Sequence, residues 1–230
     1  MSEKLPTVIL PGYLASSGDY ADMAKALTKL GSPTYIVPIQ WYGWVPTIGD
    51  KPMTPILKLL RETVDLALAK TPEAAQVNLV GHSAGGWISR LLIGEQPYYK
   101  RTWNDRERVA TLITLGTPHV SKEKYSLKNM TFVNETYPGA FYKDHLRYVC
   151  VAGKSIYGQK GNFWQNFTYS SYEMTLGCGA CWGDGITPVE SAHLEGAENL
   201  TLEGILHSPR GGRNWYGSPE AINVWSSYLQ

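Results

Sequence analysis

Residues 76–86 read Gln-Val-Asn-Leu-Val-Gly-His-Ser-Ala-Gly-Gly, an apolar run that breaks into a glycine-flanked serine. Val77, Leu79 and Val80 are strand formers, and Trp87, Ile88, Leu91 and Leu92 recur at helical spacing directly afterwards. The chain must therefore turn from strand to helix within the few residues Gly81-His82-Ser83-Ala84-Gly85. So sharp a reversal forces the serine into strained backbone. Gly81 and Gly85, lacking a Cβ, let the strand and helix backbones approach beside the turn. G-x-S-x-G in this strand–turn–helix context is a nucleophile elbow, and it nominates the Ser83 hydroxyl as the centre of any chemistry. The helix begins at the serine, so its free amides and positive dipole end lie close by, and the amide of Ala84 is set to donate to a developing oxyanion. Five residues match such a pattern by chance often enough that its weight rests on the flanks and on partners elsewhere.

Strand-like and helix-like runs alternate along the chain. Strands are predicted at Thr7–Leu10, Thr34–Pro38, Gln76–Val80, Ala110–Leu115, Arg147–Ala152 and Asn199–Gly204. Several are continuous apolar runs, as strands covered on both faces require. Tyr20, Met23, Ala24, Leu27 and Leu30 form one helical stripe. Ile56, Leu60, Val64 and Ala67 form another, with Thr54 as its N-cap, Pro55 in its first turn and Thr71-Pro72 ending it. Ser218-Pro219 opens a last helix carrying Ile222, Trp225 and Leu229. The alternation argues for a single domain over residues 1–230 of α/β class, with a mostly parallel sheet of about six strands flanked by helices on both faces. Between residues 153 and 182 the periodicity breaks. That stretch, rich in Tyr, Phe and Trp, is expected to be an aromatic loop insertion over the site.

A serine hydroxyl needs a base to take its proton and a carboxylate to orient that base. Of five histidines, His82 sits inside the elbow and cannot easily fold back onto its neighbour, and His119 follows Gly116-Thr117-Pro118 at the end of a strand, where it can border the pocket. His145 and His193 lie in polar segments with no strand placed before them. His207 comes a few residues after the last predicted strand, and in an open parallel sheet the site lies beyond the carboxyl ends of the strands, so His207 is the expected base. Gly183-Asp184-Gly185-Ile186-Thr187-Pro188 presents Asp184 from a tight turn, with Glu190 and Glu195 as the alternative acids. The loop after the first strand, Leu10-Pro11-Gly12-Tyr13-Leu14, offers the amide of Tyr13, or else that of Leu14, as a second oxyanion donor.

The chain has 43% hydrophobic and 18% charged residues, which excludes a disordered chain, and a net charge of +1 gives no reason to invoke nucleic acid. No secretory h-region and no run of membrane-spanning length is seen, so a cytoplasmic location is expected. Cys178-Gly-Ala-Cys181 is a lone pair without the further ligands of a structural zinc site or the helix of a thioredoxin-like motif.

Pro11-Gly12-Tyr13, Gly81-His82-Ser83-Ala84-Gly85-Gly86, Leu115-Gly116-Thr117-Pro118-His119, Gly183-Asp184-Gly185-Ile186-Thr187-Pro188 and His207 together resemble the α/β-hydrolase superfamily. The look is that of small lipases and of the lipase-like group with inositol-deacylase-type enzymes. The resemblance implies an acyl-ester hydrolase with a Ser83–His207–Asp184 triad and an oxyanion hole from Tyr13 and Ala84, needing no metal or cofactor. Pro11 stands where the family often has a histidine, and the glycine loop arrives after only ten residues, as in a minimal version of the fold with little room for a lid domain. The expected substrate is a small-molecule or lipid ester with an apolar acyl group, with transient contact to a membrane surface. Trp41, Trp44, Trp87, Phe163 and Trp164 are candidates for the acyl surface, and Leu14, His82 and His119 for further substrate contacts. Arg210 and Arg213 are available to a phosphate or carboxylate on the substrate, solvated surface charge being the plainer reading. A thioesterase or acyltransferase would use the same residues, and a hydrolase fold reused as a binding module is the non-enzymatic alternative.

Overall fold

Each of the predicted apolar runs forms a strand in the computed structural model, which describes residues 4–122, 127–210 and 214–230. In chain order these are β1 (Thr7–Leu10), β2 (Thr34–Ile36), β3 (Val77–His82), β4 (Val109–Leu115), β5 (Arg147–Lys154), a short antiparallel pair β6 (Ile156–Tyr157) and β7 (Trp182–Gly183), and β8 (Glu198–Glu203). Six of them build one sheet in the order β2-β1-β3-β4-β5-β8, and every pairing in it is parallel. β2 stops at Ile36. The Val37 amide still reaches the Ile9 carbonyl, and Pro38 has no N–H with which to carry the ladder on.

Period-two alternation decides which helix covers which face. Val8, Leu10, Leu79 and Leu112 point to the side packed by α2 (Thr54–Lys70), α3 (Ala84–Ile93) and α4 (Leu127–Thr136), through residues such as Leu57, Ile88 and Met130. Ile9, Val80, Ile113 and Val149 point the other way, against Met23 and Leu27 of α1 (Ala21–Lys29) and Ile222 and Trp225 of α6 (Pro219–Trp225). The central strands are covered on both sides, which is why they read as unbroken apolar runs.

Two expectations differ from the structure. Thr54 is inside α2 rather than its N-cap, because the Leu57 amide already bonds the Met53 carbonyl and makes Met53 the cap. Residues 153–182 are not loop throughout: they hold β6, β7 and, between them, α5 (Phe163–Leu176). Asn162 and Gln165 start α5 with a reciprocal capping box, and Gly177, at a φ of 81°, ends it in the left-handed conformation. The buried stripe of α5 is Thr168, Tyr172 and Thr175, which is too polar to read as an apolar face. Cys178 and Cys181 lie free in the turn between α5 and β7. Among the described residues no helix is long and apolar enough to cross a membrane.

Candidate active site

β1 leads outward to β2, and the chain then crosses back to lay β3 on the other side of β1. The carboxyl ends of β1 and β3 therefore flank a topological switch point, where parallel sheets leave a crevice. Gly12 follows β1 into that crevice and Ser83 follows β3. Ser83 caps α3 with φ 52° and ψ −125°, a strained conformation for a residue with a side chain. Its glycine neighbours are required by space. A Cβ on Gly81 would lie 2.5 Å from the Gly85 carbonyl carbon, and one on Gly85 would lie 2.5 Å from the Leu10 carbonyl oxygen.

The Ser83 hydroxyl is 3.0 Å from Nε2 of His207, and Nδ1 of His207 is 2.8 Å from Oδ2 of Asp184. Asp184, and neither Glu190 nor Glu195, is thus the carboxylate that meets the histidine. The Asp184 turn is held on several sides. Oδ1 accepts from the amides of Ile186 and Thr187, at 3.0 and 2.7 Å, and the Thr187 hydroxyl donates to the Gly116 carbonyl after β4. Oδ2 also accepts from the Tyr216 hydroxyl at 2.7 Å, and that hydroxyl accepts from the Gly153 amide. Tyr216 is a site residue that the sequence reading passed over. Burial on its own would raise the Asp184 pKa. The charge and hydrogen bond of His207, with those of Thr187 and Tyr216, outweigh it and hold the carboxyl below its ordinary value. A buried carboxylate kept ionised beside an imidazole fixes the Nδ1 proton and leaves Nε2 free to accept one from Ser83.

Two cavities meet at Ser83. One, of about 340 Å³, is apolar: Trp87 and Met53 lie on the sheet side, Pro118 and Ile186 flank it, and Phe167 and Met174 of α5 form the outer wall. Tyr13 and Ala84 border this cavity at Ser83. The other, of about 230 Å³, is more polar and is bounded by Gly12, Leu14, Asp19, His207 and Arg210. A larger hollow of about 640 Å³ beside β2 touches none of the residues of the Ser83 line, so size alone does not mark the site.

The remaining sequence candidates divide. Trp87 and Leu14 line the two cavities, and the His82 ring lies under the polar one, turned away from the Ser83 hydroxyl. His119 does not border either. It is 1% exposed, with Nε2 beside Thr114 and Cys150, because the chain after β4 turns Pro118 toward the cavity and His119 beneath it. Phe163 and Trp164 project to solvent at 75% and 73% exposure, and Phe167, one turn on, takes the wall position instead. Trp44 is buried against Tyr13, and Trp41 is exposed. Arg210 is paired through two hydrogen bonds with Asp19, and Arg213 lies outside the described residues.

Comparison with curated proteins returns no match. A family model described as a PGAP1-like alpha/beta domain matches residues 53–148, a segment that contains Ser83 but ends before Asp184 and His207. Among solved structures, Est1E from Butyrivibrio proteoclasticus is similar at a TM-score of 0.54 and 14% identity, over 98% of this chain and 88% of that one. The lin2722 gene product of Listeria innocua is similar at 0.50 and 12%, over 98% and 92%. The phospholipase PlaB of Legionella pneumophila is similar at 0.55 and 14%, over 82% of this chain and 45% of PlaB, so this chain spans less than half of that protein. At these identities the likeness is one of fold. With its parallel six-stranded sheet, the PGAP1-like segment and these neighbours, the chain has an α/β-hydrolase fold.

Proposed function

We propose that this protein is a serine-dependent hydrolase of carboxylic esters with an apolar acyl group, working through an acyl-enzyme. The observation that carries the reading is the hydrogen-bonded line Asp184–His207–Ser83, which ends on a strained serine at the mouth of an apolar cavity. Ser83 Oγ attacks the ester carbonyl carbon while its proton passes to Nε2 of His207. The carbonyl oxygen takes the negative charge and is received by the amides of Tyr13 and Ala84. Collapse breaks the bond to the alcohol, which leaves with the proton from His207. Water then gives its proton to His207, attacks the acyl carbon and returns Ser83 as the free hydroxyl with release of the carboxylic acid. Asp184 stays ionised throughout and offsets the charge on the imidazolium.

The apolar cavity beside Ala84 and Trp87 is assigned to the acyl chain and the polar one beside His207 to the alcohol, because the residue that protonates the leaving group must stand on its side. A series of soluble esters of increasing acyl length tests this. Rates should rise with chain length until the 340 Å³ cavity is filled and then fall. Equal rates at every length would remove the cavity from the account. Thioesters and an added alcohol in the same assay report whether sulfur leaving groups or alcohol acceptors are also taken.

A further inference from the structure

His82 spends a buried imidazole on two polar contacts, neither of which reaches the Ser83 hydroxyl. Nδ1 lies 2.7 Å from the Tyr20 hydroxyl, and that hydroxyl lies 2.9 Å from the Gly12 amide. Nε2 lies 2.9 Å from the backbone carbonyl of His207. The protons on this line have one arrangement. A carbonyl only accepts, so Nε2 carries the imidazole proton. Nδ1 of the neutral ring therefore accepts, so the Tyr20 hydroxyl donates to it and receives the Gly12 amide in return. The line runs without a gap from the turn that presents Tyr13 to the backbone of the base.

The packing around it is equally specific. Tyr20, Trp215, Tyr216 and His207 surround the ring at centroid distances of 5.6, 5.9, 5.8 and 4.9 Å. A Cβ on Gly12 would stand 2.9 Å from Nδ1, so the turn after β1 rests directly on the imidazole. The His207 backbone is pinned twice, its amide by the Asp184 carbonyl at 3.0 Å and its carbonyl by His82. An apolar side chain of the same size would fill this space without desolvating a polar ring. What the imidazole adds is the bond at each end.

We propose that His82 and Tyr20 are positioning residues, holding the Gly12–Tyr13 turn and the His207 backbone at a fixed separation across Ser83 so that oxyanion donor and base are set by one hydrogen-bonded line. This rests on the ester-hydrolase reading for its kinetic consequences but not for its geometry. Tyr20→Phe removes the hydroxyl that joins the Gly12 amide to His82 Nδ1. His82→Leu cuts the line at both ends, while His82→Gln keeps a donor within reach of the His207 carbonyl. With a short soluble ester, Tyr20→Phe should lower kcat about tenfold and His82→Leu about a hundredfold, KM staying within about twofold, because both side chains are buried and offer a substrate almost no surface. His82→Gln should recover most of the loss seen in His82→Leu. Overturning results are a Tyr20→Phe kcat within about twofold of wild type, a loss carried by KM, or equal losses in His82→Gln and His82→Leu.

Nitrogen-15 NMR of the histidines reads the line without turnover and separates its failure from failure of the ester-hydrolase reading. His82 should stay neutral with its proton on Nε2 from about pH 8 to about pH 5. An Nδ1–H tautomer, or titration of His82 in that range, would end the proposal even in an enzyme that turns over esters. The expected tautomer in a chain that hydrolyses no ester would uphold the geometry and sink only the reaction.

Discussion

Asp184 carries more contacts than any carboxylate needs merely to be buried: two amides on one oxygen, and His207 and Tyr216 on the other. A side chain held on four sides cannot rotate away when the imidazole becomes charged. The Tyr216 hydroxyl supplies one of those four, and Tyr216→Phe removes it while leaving the ring in place. We expect kcat to fall roughly tenfold, the worth of one hydrogen bond to a charged group, with little change in KM. Steady-state kinetics of the pure variant check this, and an unchanged kcat would show that the other three contacts suffice. Asp184 and His207, which meet in line with Ser83, were legible as candidates because each stands in a recognisable place, a glycine-flanked turn and the loop after a strand. Tyr216 and Tyr20 were not, because their partners lie 32 and 62 positions away along the chain and meet them only once the sheet has formed. His119 failed for a related reason: position after a strand was legible, but which of Pro118 and His119 turned toward the cavity was decided by the turn.

Among the elements, β1, β3, β4 and α3 were the most legible, since burial on both faces writes itself as unbroken apolar sequence and the glycines of the elbow mark where backbones touch. α5 was the least. Its aromatics at 163, 164 and 167 face solvent or cavity, and its inner stripe is mostly threonine, so no helical period stood out. Its end signals, Asn162 with Gln165 and Gly177, were present in the sequence and are the ones that call for a helix there. Phe163 and Trp164 sit at the exposed start of the helix whose Phe167 walls the cavity. Apolar rings placed there would enter a lipid surface and bring the cavity mouth to it. The double variant Phe163→Ser with Trp164→Ser should lose rate on long-chain esters in vesicles or micelles and keep its rate on monomeric short esters. An equal loss on both substrates would assign the pair to the stability of α5 instead.

At the scale of the whole molecule, the sheet order places the loops after β1, β3, β4 and β8 around one crevice, and the residues that converge there include groups whose burial has a pH signature. Burial lowers the pKa of His82 from 6.5 to about 3, and it holds His119 well below 6.5. In both cases the unfolded chain binds a proton that the folded chain refuses. Stability is therefore complete above about pH 6.5 and declines as pH falls below it, by about 1.4 kcal/mol per pH unit for each such histidine. Asp184, whose pKa is depressed in the fold, adds to the loss in the same direction once pH drops below about 4. Urea unfolding across this range should show the slope, and His82→Gln should reduce it; a flat profile would mean that these rings are protonated in the fold. The central claim, that the line from Asp184 through His207 makes Ser83 a nucleophile, is tested most directly by intact-mass and peptide analysis after treatment with a fluorophosphonate. The account predicts one adduct per chain, on Ser83, absent in Ser83→Ala and formed far more slowly in His207→Ala. No adduct on the folded wild-type chain, or an adduct that persists in Ser83→Ala, would contradict it.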